Sequence, residues 1–180
     1  MILEMLRGSE WIKVDFHIHT LGTKKNDQFL ERDSNKFFKI FFEKAYENKI
    51  KIIGITDYFD IENYEIAQEE LDKLKIDNTL SDQEREFFKE ILLIPNIELR
   101  IGTVTGKGRL VNIHCLFSPN RLSELSDHFF SEMKCGNHKM TKTGIIELGK
   151  FHLKNSNNEE EIYKNKMQIF LLSASYFELN

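Results

Sequence analysis

The chain has 180 residues, with 25 Lys plus Arg against 29 Asp plus Glu, a formal charge of −4. That balance excludes coating of nucleic acid by bulk positive charge, but leaves room for a nuclease whose metal ions supply charge locally. With 41% hydrophobic and 30% charged residues the chain is expected to fold as one domain, and its two cysteines are too few for a disulfide scaffold.

Met1 to Glu10 carries Glu4, Arg7 and Glu10 and lacks the apolar stretch of a signal peptide. No later apolar run reaches the ~18–20 residues of a membrane span, so no membrane contact is expected, and the two cysteines suit a reduced, cytoplasmic compartment. Trp11 to Thr20 then alternates, with Ile12, Val14, Phe16 and Ile18 on one face and Lys13, Asp15, His17 and His19 on the other. Period two predicts a strand whose apolar face enters the core. Leu21 to Arg32 reads as a polar loop, and Asp33 or Ser34 as the cap of a helix. Phe37, Phe38, Phe41, Phe42, Ala45 and Tyr46, drawn from a chain with 15 Phe, recur at helical spacing. Ile50 to Ile55 is β-branched and nearly continuous, as a buried parallel strand would be, and completes a βαβ unit.

Asp60 to Lys75 predicts an acidic helix and Leu80 to Lys89 another, capped by Ser81. Ile91 to Ile101 predicts a third strand, Gly102, Gly106 and Gly108 a turn or hairpin, and Leu110 to Phe117 a fourth strand. Arg121 to Lys134 is amphipathic through Leu122, Leu125, Phe129 and Met133. Cys135 to Lys142 reads as a loop, Ile145 to Leu153 as a helix, Lys154 to Glu161 as a polar insertion, and Gln168 to Ser173 as a last strand.

His17 and His19 are two apart on a strand, so their side chains leave one face ~6–7 Å apart at Cα. Two imidazoles so placed can converge on one metal, and Asp15 on the same face could orient one of them. A polar strand face with chance histidines gives the same pattern. Asp57 follows directly on the buried strand, where α/β folds place sites, though an Asp there also caps the next helix. Glu98 is a lone acid among apolar residues and needs a metal, water or an ion pair with Arg100 or Arg109. His114 interrupts an apolar strand. Cys115 alternates with it and should be a buried apolar thiol. Lys107 and Arg109 between the glycines could meet a phosphate, and a hairpin turn is the plainer reading.

Asp15-Phe-His17-Ile-His19-Thr20, Gly54-Ile-Thr56-Asp57, Pro95-Asn-Ile-Glu98 and Asn112-Ile-His114 together resemble the PHP domain (polymerase and histidinol phosphatase). Arg7-Gly-Ser-Glu-Trp11, Tyr58-Phe59 and Pro-Asn-Ile-Glu-Leu99 look like the bacterial branch in which this domain is fused to an SMC-like P-loop ATPase. The resemblance implies an α/β fold, a distorted (βα)7 barrel that is here partial. It also implies two or three divalent metal ions (zinc, manganese or iron) at the strand ends and hydrolysis of phosphoesters.

Carried over residue by residue, the implied metal ligands are His17, His19, Asp57, Glu98, His114 and, loosely, Asp27. Asp57 and Asp15 are the implied catalytic residues. Two departures stand out. Tyr58 occupies the place where many members have a histidine, and no Asp-x-His follows residue 114. No Gly-x-x-x-x-Gly-Lys-Ser/Thr occurs either, so an ATPase partner would lie outside this chain. Residues 1–180 are therefore expected to be the N-terminal PHP-like part of a longer protein. Its expected function is metal-dependent cleavage of DNA, RNA or nucleotides in defence against phage. The alternative is a degenerate domain serving as a non-catalytic interaction module. Self-association or pairing with the rest of a longer protein is the expected way to cover an open barrel edge.

Overall fold

Strand β1 (Lys13–Ile18), helix α1 (Ser34–Asn48) and strand β2 (Ile50–Asp57) form the first βαβ unit. The computed structural model describes residues 11–21, 28–104, 106, 110–152 and 158–165. Between the two capping candidates the structure selects Asp33, whose carboxylate accepts the Lys36 N–H at 3.0 Å. Lys49, at φ 57°, ends the helix in the left-handed conformation. Phe37, Phe38, Phe42 and Ala45 of α1 are buried. Truncating a fully buried ring such as Phe42 would cost about 3–5 kcal/mol.

Helices α2 (Glu62–Lys75) and α3 (Asp82–Glu90) cross over to strand β3 (Leu92–Val104). Ser81 and Glu84 form a reciprocal capping box at the start of α3. β3 pairs in parallel with β2 and antiparallel with β4 (Leu110–Leu116). The result is an α/β protein with a curled, mixed, mostly parallel sheet in the order β1-β2-β3-β4, half of a barrel.

Alternation sorts this sheet into two faces. On the outer face Ile53, Ile55 and Leu93 pack against α1, α2 and α3. Further along, Ile97 and Leu99 pack against Leu125, Phe130, Met140, Ile145, Leu148 and Ile162. The in-register pairs Thr56–Asn96 and Glu98–His114 occupy the inner face.

The apolar face of β1 does not enter the core as expected. Ile12, Val14 and Phe16 are 39%, 43% and 40% exposed, and only Ile18 packs with the helices. Among the described residues β1 pairs with β2 alone, so it is an edge strand. An irregularity between Asp15 and Ile18 also breaks its alternation, aligning Asp15 with Ile53 and Ile18 with Ile55.

The C-terminal third departs from expectation at four places. The segment read as one amphipathic helix is a 3-10 turn (Pro119–Arg121), a short α4 (Leu122–Glu124) and a π-helical stretch (Leu125–Phe130). The loop after it contains a hairpin of β5 (Lys134–Cys135) and β6 (His138–Lys139), turned by Gly136 at φ +57°. Helix α5 (Lys142–His152) starts before the expected Ile145, and the Glu159–Glu161 run is the first turn of α6 (Glu159–Lys164). Asn158 caps that turn, and carboxylates there suit the positive end of a helix. Cys115 packs against the second core cluster but is only half-buried, short of the buried thiol expected of it, and neither cysteine forms a disulfide among the described residues. Gln168–Ser173 and the cations Lys107 and Arg109 lie outside the described residues. Among the described residues no helix is long and apolar enough to cross a membrane.

Candidate metal centre

The inner face is built around an approach of two backbones. Gly54 of β2 lies so close to β1 that a Cβ there would stand 2.3 Å from the Phe16 carbonyl oxygen. Only a residue without a side chain lets β1 cross here, and that crossing carries His17 and His19 over the inner face. The Phe16 carbonyl accepts a hydrogen bond of 2.7 Å from the Asn96 amide.

Three side chains then converge. His17 Nε2 and His19 Nε2 are 3.2 Å apart, and they lie 3.6 and 3.2 Å from Glu98 Oε2. His19 Nδ1 is 3.2 Å from the Thr56 carbonyl oxygen. A carbonyl only accepts, so Nδ1 carries the proton and, in the neutral ring, Nε2 is a bare lone pair. Glu98 Oε1 accepts from Asn112 Nδ2 at 2.6 Å, while Oε2 is buried and has no hydrogen-bond partner among the described residues. Lone pairs on two imidazoles and a carboxylate facing one another are repulsive unless a proton or a cation sits among them. Two nitrogens and one oxygen, with every donor atom within 4.8 Å of the others, suit a divalent ion such as zinc.

Burial pushes the Glu98 carboxyl up. The pull of His19, which acts when that ring also carries a proton on Nε2, followed by the Tyr58 hydroxyl and His114, outweighs burial and holds the group below the usual carboxylate range. Glu98 is therefore ionised at neutral pH, the state a metal ligand requires. His114, opposite Glu98 on β4, has its ring centroid 4.2 Å from that of His17. Partial burial and the neighbouring His17 hold His114 below the usual imidazole range, so it is neutral. Side-chain exposure falls from 51% at His17 through 12% at His19 to 2% at Glu98. A ligand from solvent would thus arrive at the His17 side.

The other expected site residues are placed differently. Asp57 is 1% exposed and its register partner is Ile97, on the outer face. Its carboxylate accepts from the Asn63 and Tyr64 backbone N–H groups at 3.1 and 3.3 Å and from Asn63 Nδ2 at 2.6 Å. Ile61, the residue preceding α2, offers no side-chain cap, so Asp57 satisfies the start of that helix from a distance. It is not brought into the three-residue group. Asp15 accepts from the His17 backbone N–H at 3.1 Å, an Asx-type bond within the irregular part of β1, rather than from an imidazole. Asp27 lies outside the described residues. Tyr58 stacks on the His19 ring at 5.2 Å and is buried. His138 faces Glu147 at 3.6 Å, away from this group, and His128 is exposed.

Gly54, Asn96, Asn112 and the Thr56 carbonyl are supporting residues that reasoning from sequence did not single out. Asn96 and Asn112 lay inside the quoted motifs, and their even spacing from Glu98 and His114 was the available signal. No protein-family model, no curated protein and no solved structure matches this chain.

Proposed function

We propose that this chain is a metal-dependent phosphoesterase built on a partial PHP-type barrel. The observation that carries the reading is the convergence of His17 Nε2, His19 Nε2 and Glu98 Oε2, with Oε2 buried and without a hydrogen-bond donor among the described residues. A divalent ion held by these three residues supplies Lewis-acid activation of a phosphoester and of water. His19 is oriented by the Thr56 carbonyl and Glu98 by Asn112, so both donors are presented in fixed directions. His114 is the next donor in line, beside His17. The resemblance to the ATPase-fused branch favours DNA, RNA or nucleotides as the phosphoester. It also favours a cytoplasmic role in phage defence with a P-loop ATPase as partner.

A second reading, a degenerate domain acting as an interaction module, is favoured by Tyr58, which is packed on His19 where many PHP domains carry a ligand histidine. A phenol is a poor ligand near neutral pH, with a pKa of about 10. Metal content of the purified chain and cleavage of DNA, RNA and a small phosphomonoester with manganese added separate the two. Bound metal with cleavage supports the enzyme. A folded chain that takes up no metal and cleaves nothing supports the module.

A further inference from the structure

Asn96 lies on the inner face of β3 and is 1% exposed. Its Nδ2 is 2.7 Å from the Phe16 carbonyl oxygen, 3.0 Å from Thr56 Oγ1 and 3.1 Å from His114 Nδ1. Its Oδ1 is 3.3 Å from the same His114 Nδ1. A carbonyl oxygen only accepts, so the atom facing Phe16 is the NH2, which settles the orientation of the amide. That NH2 has two hydrogens. One goes to Phe16. Thr56 is 0% exposed, and Asn96 is the partner of its hydroxyl among the described residues, so the second goes there. No hydrogen remains for His114, and the ring must instead donate Nδ1–H to Asn96 Oδ1.

We propose that Asn96 is a positioning residue that selects the Nδ1–H tautomer of His114 and leaves His114 Nε2 as a bare lone pair. The same tautomer is imposed on His19 by the Thr56 carbonyl. Two imidazoles of the site therefore carry their protons on Nδ1, and one amide ties the β1 crossing, β2 and β4 together. The inference rests on reading this face as a metal site only for its purpose; the hydrogen-bond assignment stands without a metal.

The test is a long-range proton–nitrogen correlation spectrum of the metal-free, 15N-labelled chain. His114 is expected to show a protonated Nδ1 and an unprotonated Nε2, whereas the Nε2–H tautomer in the wild-type chain overturns the assignment. In Asn96→Ala, His114 should revert to Nε2–H and zinc affinity should fall about 10–100-fold, as for loss of other residues that orient metal ligands. A folded Asn96→Ala chain with the wild-type tautomer and affinity overturns the proposal. If that variant does not fold, the wild-type tautomer decides. A wild-type chain that shows Nδ1–H at His114 and binds no zinc supports the role of Asn96 while sinking the metal reading.

Discussion

A methyl group on Gly54 would stand 2.3 Å from the carbonyl oxygen of Phe16, closer than any packed pair of atoms tolerates. The position is therefore coupled to the placement of His17 and His19. Gly54→Ala should destabilise the fold by about 1–3 kcal/mol, the usual cost of overpacking, and should also lower zinc affinity by displacing β1. Urea unfolding and a chelator competition measure the two effects. A destabilised variant with unchanged affinity would break the proposed link between the crossing and the site.

Glu98→Gln keeps an acceptor for Asn112 but removes the charge that faces both imidazoles. Zinc at about 100 times its dissociation constant should stabilise the wild-type chain by about 2.7 kcal/mol. The Gln variant should gain little or nothing at the same zinc concentration. Equal thermal shifts in the two proteins would show that Glu98 is not a ligand.

Asp57 is bonded to the first turn of α2, and its removal should act on stability rather than on metal. Asp57→Ala is expected to lose about 1–3 kcal/mol, the cost of a lost cap and unsatisfied buried donors, with metal stoichiometry unchanged. Loss of metal uptake without loss of stability would restore Asp57 as a ligand.

Burial raises the Cys115 thiol above its ordinary range, and Cys135 is 1% exposed. The reactive thiolate therefore forms only at a higher pH than for a free cysteine, whose pKa is about 8.5. Alkylation by iodoacetamide at pH 7.5 should be slow in the native chain, should accelerate as pH rises, and should become fast on unfolding. Rapid labelling of the native chain at pH 7.5 would place a thiol at the surface.

Local pattern alone determined much of this protein. Period two marked β1, the Phe spacing marked α1, Ser81 marked the cap of α3, and the isolation of Glu98 among apolar residues marked a carboxylate in need of a partner. Each of these is set by neighbours within a few residues, which a sequence displays directly. The tertiary structure decided the rest. Asp57 faces α2 because its ladder partner is Ile97 rather than Glu98, and a shift of one residue in register exchanges the faces of a strand. The irregularity between Asp15 and Ile18 takes Asp15 out of line with the histidines and leaves Val14 and Phe16 exposed. Asn96 joins Phe16, 80 positions away, and Thr56, 40 positions away. No periodicity records contacts over such distances, because they come into being only when separate strands are laid side by side.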